Sequence, residues 1–249
     1  MTRAERQVAL EAIAAEVQAC TRCRLHEGRT RAVPGEGDPD TEVVFVGEGP
    51  GFNEDREGRP FVGRAGGLLV QLLGSIGWRR EDVFITNVVK CRPPDNRDPQ
   101  ADEIAACAPY LRRQLEALDP AVVVTLGRYS MGTFMPDARI GQVHGTTAPI
   151  DPELGPSDAL AFAMYHPAAA LRTPALERES YADIALVPDV LIRARDRRRP
   201  MTETPQEPAA VAVTAPDVVP AAPPARDADA SPMHVVDATS DDASQLTLF

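Results

Sequence analysis

Four groups of residues in this 249-residue chain have types and spacing that suit chemistry. The first is the stretch Val43 to Leu69, V-V-F-V-G-E-G-P-G-F-N-E-D-R-E-G-R-P-F-V-G-R-A-G-G-L-L. Gly47, Gly49 and Gly51 let something flat or anionic approach the backbone closely. A pyrophosphate fits poorly. Pro50 interrupts the turn, and Glu48, Glu54, Asp55 and Glu57 would repel it. No helix is expected to start directly at the glycines, as a dinucleotide fingerprint requires. A neutral planar ring fits better, lined by Glu48 and the backbone around Gly49, with Phe61 stacked on it. Phe61 also reads as a core aromatic.

The second group is Asn87, at the end of an apolar run. A buried amide there needs partners, and its acceptor and two donors can pair with a base edge. An end-of-strand turn residue is the plainer alternative. The third is His166, followed by Pro167 and a helical stretch. It is placed to donate a hydrogen bond into the same crevice. The other histidines, His26, His144 and His234, are expected to be solvated. The fourth is the cysteines. Cys20 and Cys23 form C-x2-C, and Cys91 and Cys107 follow far downstream. Four thiolates suit a structural zinc or an iron–sulfur cluster; Cys107 also reads as a buried small residue of its helix.

Several elements must position these groups. Apolar periodicity gives a helix over 5–19 (Leu10, Ile13, Ala14, Val17), one carrying Leu68 to Ile76, and one over 101–118 with Pro109 inside. A short helix follows Gly127, and a last one covers about 177–197, which Pro188 bends or divides. Strands read at about 42–47, 82–88, 121–126 and 161–165, and residues 140–157 read as a loop or weak hairpin. Each strand is a short, near-continuous apolar run, as a sheet covered on both faces requires. The expected fold is α/β, a three-layer α/β/α sandwich around a central, mostly parallel four-stranded sheet. Glu48, Asn87 and His166 then share one sheet edge, where α/β folds build their sites.

Taken together, Gly47-Glu-Gly-Pro-Gly51, Glu54-Asp55, Pro60-Phe-Val-Gly63, Thr86-Asn-Val-Val-Lys-Cys91-Arg-Pro-Pro94 and His166-Pro-Ala-Ala-Ala-Leu-Arg172 resemble the family 4 uracil-DNA glycosylases. The order and spacing of the cysteines match that family's [4Fe–4S] ligands. Gly49 departs from the alanine often found there, at a position where the backbone makes the contact. The resemblance covers about residues 8–195. It implies a monofunctional enzyme that flips uracil out of single- or double-stranded DNA and hydrolyses its glycosidic bond. By resemblance, Phe61 stacks on the base and Asn87 pairs with its O4 and N3–H. Glu48 or the backbone beside it positions water, and His166 donates to O2. Glu54 lies near the position that excludes a thymine methyl. Leu171 wedges into the duplex, Arg172 holds a phosphate, and Cys20, Cys23, Cys91 and Cys107 hold a structural cluster. A related branch that traps uracil-DNA covalently carries a basic, His-containing insertion after the Asn strand. Here that segment, Arg92 to Pro99, has no histidine. An iron–sulfur electron carrier is the other alternative.

The net charge is −11 and the pI about 4.9, which excludes coating nucleic acid by bulk charge but not a local basic groove. Much of that charge lies from Pro200 onward, where eight Asp/Glu face one arginine, Arg226, among eight prolines. Residues 1–198 are expected to form the glycosylase domain, and 199–244 a disordered Ala/Pro-rich tether. Gln245, Leu246, Leu248 and Phe249, in the terminal pentapeptide, resemble the motif by which bacterial repair proteins dock on the sliding clamp. No secretory segment or long apolar run is visible, so a cytoplasmic bacterial monomer is expected.

Overall fold

The computed structural model describes residues 1–198. The tether expected over 199–244, His234 and the clamp-docking peptide 245–249 lie outside the described residues. In chain order the helices are α1 (Arg3–Ala19), α2 (Leu25–Gly28), α3 (Phe52–Glu57), α4 (Arg64–Ser75), α5 (Ala101–Leu118), α6 (Arg128–Phe134), α7 (Ile140–Val143), α8 (Pro167–Ala170), α9 (Pro174–Ile184) and α10 (Val187–Arg198). The strands are β1 (Glu36–Gly37), β2 (Val43–Gly47), β3 (Phe84–Asn87), β4 (Val122–Leu126), β5 (Thr147–Pro149) and β6 (Leu160–Met164).

The sheet order is β1-β3-β2-β4-β6-β5. Its four central strands are parallel, as expected. The sheet has six strands rather than four, because β1 and β5 pair antiparallel on the two edges. Both additions are only two or three residues long and carry Gly or Pro, so they leave no periodic trace.

Alternation along β2 sends Val43 and Phe45 to one face and Val44 and Val46 to the other. The first face packs under α4, α9 and α10 through Leu69, Leu73, Ile184 and Val190. The second packs under α1, α5 and α6 through Leu10, Leu115, Leu118 and Phe134. Both cores are built on strands buried at every residue. The chain steps from β2 out to β3, then crosses to β4 on the other side of β2. That reversal opens a crevice at the carboxyl ends of the strands.

Two further differences from expectation concern the elements around that crevice, and the last helix divides as expected. A helix does start at the glycines: Gly51 is the N-cap of α3, whose segment F-N-E-D-R-E is too short and polar for a periodic signal. Residues 140–157 contain α7 as well as the β5–β6 hairpin. The last long helix divides after Ile184, and Pro188 sits in the first turn of α10. There a proline is tolerated because the N–H it lacks would have had no helical partner. Helix α5 runs continuously through Pro109.

Candidate active site

The carboxyl ends of β2, β3, β4 and β6 open into a cleft of about 560 Å³. Its walls include Glu48, Gly49, Glu54, Phe61, Asn87, His166 and Arg172. The structure therefore brings the residues expected to contact the base to one place, with Leu171 exposed beside Arg172.

Asn87 ends β3 and is 1% exposed. Its Oδ1 is buried without a hydrogen-bond partner. Such an acceptor costs the fold about 1–3 kcal/mol unless something donates to it. Its backbone carbonyl accepts from Lys90 Nζ at 2.8 Å. Lys90, the one lysine of the chain, is itself buried and donates also to Thr86 Oγ1 and Gln114 Oε1, both at 2.6 Å. Gly47 is paired across the ladder with Asn87. A Cβ at position 47 would collide with Asn87 Oδ1 and come within 2.7 Å of the Phe61 ring. Only glycine lets amide and ring meet this closely.

Phe61 is both a core residue and a wall of the cleft. Its φ is +49°, in the left-handed region that a bulky side chain rarely occupies. The strain is held from several sides. Glu54 Oε1 accepts from Val62 N and Gly63 N, each at 3.0 Å. Arg80 donates to Phe61 O at 3.0 Å and to Pro60 O, and Glu36 pairs with Arg80 at 2.8 Å. One Glu54 oxygen thus staples the ring-bearing loop.

Glu48 Oε1 accepts from Tyr129 N at 3.1 Å, at the start of α6. Burial, with a further push from the Asp98 charge, raises its carboxyl above the ordinary value of 4.5. Gly127, at φ +95°, has no Cβ to strike Glu48 Oε1 or to sit 3.0 Å from His166 Cβ. His166 is the N-cap of α8, and its Nδ1 accepts from Ala168 N at 3.0 Å. That bond fixes the proton on Nε2, so the neutral ring remains a donor. Desolvation drives its pKa down to about 4, with Glu54 opposing and Arg172 assisting. Its ring stacks on Phe61 at 5.7 Å between centroids.

The four cysteines ring a second, small cavity among Val17, Leu25, Val89 and Tyr110. Three of the sulfurs accept hydrogen bonds: Cys91 from Arg29 at 3.2 Å, Cys107 from Lys90 N at 3.3 Å and Cys20 from Arg22 N at 3.5 Å. Burial raises the Cys91 thiol and pushes Cys107 up to about 11, so both remain protonated near neutrality unless a cation binds. Among the described residues no three His, Cys, Asp or Glu side chains converge as a single-ion site would. The cysteine segments are joined independently of any metal. Buried Glu103 on α5 accepts from Arg24 at 3.0 Å and from Arg97 at 2.6 Å, and Arg97 holds its carboxyl down at about 2.

The family model for the uracil DNA glycosylase superfamily matches residues 34–186. A type-4 uracil-DNA glycosylase of Saccharolobus solfataricus is 48% identical over 73% of this chain and 86% of its own length. That of Archaeoglobus fulgidus is 46% identical over 70% of this chain and 89% of its own. That of Thermotoga maritima is 50% identical over 59% and 76%. The chain belongs to the type-4 uracil-DNA glycosylases. Membership in that family agrees with the sequence resemblance, and the family is α/β, as the sheet here is.

Some residues around this glycosylase cleft escaped sequence reasoning. Lys90 was read only as part of the Thr86–Pro94 stretch, although a lone lysine two residues past an apolar strand was a usable signal. Arg80 and the loop-stapling role of Glu54 had no signal, since both act across eight or more residues. Two histidines expected to be solvated are half-buried. His144 Nδ1 lies 3.0 Å from Asp183 and its ring packs on Tyr165 at 4.6 Å, while His26 Nδ1 contacts Cys23 O at 2.8 Å. Polar partners and one aromatic face offset the cost of their partial burial.

Proposed function

We propose that this protein removes uracil from DNA by hydrolysing the N-glycosidic bond, the first step of base-excision repair. The observation that carries the reading is the partnerless Asn87 Oδ1 in the wall of a cleft beside Phe61. Uracil supplies what that atom lacks. Its N3–H donates to Oδ1 while its O4 accepts from the amide Nδ2. Cytosine presents the inverse pattern and would leave buried groups unpaired. A base can reach this depth only after leaving the stack.

Phe61 then provides a flat apolar face for the flipped ring. Negative charge grows on uracil O2 as the bond breaks, and His166 Nε2–H donates to it. Such donors contribute about 3 kcal/mol. A neutral imidazole suffices, in keeping with the low pKa. Glu48 is the better candidate to orient water and stabilise the cationic sugar, because Glu54 Oε1 is already engaged by two backbone amides. Glu54 acts instead through the loop it staples, which borders the base. Arg172 holds a phosphate and Leu171 fills the gap left by the base. The deciding experiment is uracil release from single- and double-stranded oligonucleotides. Wild type releases uracil, and His166→Ala lowers kcat by about 10²–10³. Absence of release by the wild-type protein contradicts the proposal.

Cys20, Cys23, Cys91 and Cys107 would hold a [4Fe–4S] cluster. Their arrangement around a cavity, with N–H groups directed at three sulfurs, suits a multi-iron cluster better than one zinc. Bound, the cluster would serve as a structural brace between α1 and the loop that follows Asn87. The expected protein is brown, with broad visible absorbance, and Cys91→Ala and Cys107→Ala are colourless. A colourless wild type carrying stoichiometric zinc overturns this assignment.

A further inference from the structure

Phe52 is the one aromatic among the large apolar side chains exposed in the described residues, at 52%. It opens α3 directly after Gly51, which lines the cleft. Two guanidiniums lie over its ring. Arg56, one turn further along α3, has its Cζ 5.6 Å from the centroid, and Arg92, from the loop after β3, has its Cζ at 5.2 Å. Arg92 Nε donates to Asn96 Oδ1 at 2.8 Å. Neither arginine pairs with a carboxylate among the described residues, whereas Arg24, Arg59, Arg80, Arg97, Arg113 and Arg195 all do.

A single exposed phenylalanine needs no explanation. A phenylalanine with two carboxylate-free guanidiniums over it, at the mouth of a cleft in a chain of net charge −11, has a specific chemistry. It joins a π face to local positive charge, the combination that binds single-stranded nucleic acid. We propose that Phe52, Arg56 and Arg92 form a stacking platform for an unpaired base of the uracil-bearing strand. The base takes the place of a guanidinium on the ring, and the displaced guanidinium pairs with a phosphate. The platform favours single strands, where neighbouring bases are free to leave their stack, over duplexes, where they are paired. The inference rests on the reading of the cleft as a uracil site.

The test compares wild type with Phe52→Ala, Phe52→Leu and Phe52→Trp. Affinity is measured on a single strand carrying a non-hydrolysable uracil nucleotide, and turnover on its cleavable counterpart and on the duplex. Phe52→Ala is expected to weaken single-strand affinity and raise KM by about 10-fold with kcat unchanged. The loss is smaller on duplex. Phe52→Trp restores binding, and Phe52→Leu, apolar but without a π face, does not. Alanine at the displaced arginine, whether Arg56 or Arg92, reduces the slope of log affinity against log salt by about 0.7. Wild-type affinity in Phe52→Ala, or full rescue by leucine, overturns the platform. A wild type that binds the strand but releases no uracil counts against the excision reading alone, since the affinity comparison still decides the platform.

Discussion

Asn87→Asp is expected to lower uracil release by about 10⁴-fold and to introduce slow release of cytosine. The first effect follows from the donor pattern. Ionised, an aspartate offers acceptors only, so O4 of uracil would face a carboxylate oxygen where the amide Nδ2 donated. A site built to hydrogen-bond a group discriminates by about 10⁴–10⁵ against a mismatch that leaves buried groups unpaired. The second effect follows from burial. Position 87 is 1% exposed, and desolvation disfavours the charged form, so an aspartic acid there titrates above its ordinary range. Protonated, it accepts from cytosine N4–H and donates to N3. Cytosine release should therefore rise as pH falls, until Glu48 takes up its proton and release declines again, whereas wild-type release of uracil only declines. Release of free bases from matched uracil and cytosine oligonucleotides across pH is the measurement. Unchanged selectivity would remove Asn87 as the reader of the base.

The four parallel strands were legible because each is a continuous apolar run, and a strand buried on both faces has little choice of residue. Long helices were legible for a similar reason: Leu111, Leu115 and Leu118 repeat along one stripe of α5. What escaped acts through single long-range contacts. Glu54 looked like one acid among four in a loop; that its Oε1 staples Val62 and Gly63 depends on how α3 folds back. The opening loop itself was read without a helix, because six polar residues after Gly51 carry no period. Asn87, by contrast, was legible as an amide out of place in an apolar strand. Its lack of an internal partner is the kind of local inconsistency expected at a functional site.

Glu48→Gln is expected to abolish most uracil release and at the same time to raise the Tm. Glutamine preserves the acceptor for Tyr129 N and removes the negative charge. Loss of a positioned base typically lowers kcat by about 10²–10⁴. The stability gain follows from linkage. In the unfolded chain Glu48 titrates near 4.5, and in the fold burial and Asp98 raise it. As pH rises from 4.5 through the raised folded value, the folded state holds a proton that the unfolded state releases, so stability falls. Above that value the cost is constant. The Tm difference between Glu48→Gln and wild type should thus be small at the acid end, grow through this window and level off at neutral pH. Uracil release by the wild type should rise over the same window, because ionised Glu48 orients the water. His166 does not set this limb: with a pKa near 4 it is neutral throughout most of the window and keeps its Nε2 proton. A flat Tm difference would show that Glu48 is not destabilised by its surroundings. A Gln variant with wild-type kcat would assign the water to another group. Both outcomes are accessible from one pH series of melting curves and initial rates, and a Tm gain coupled to a loss of kcat would mark the carboxylate as retained for chemistry at a cost to the fold.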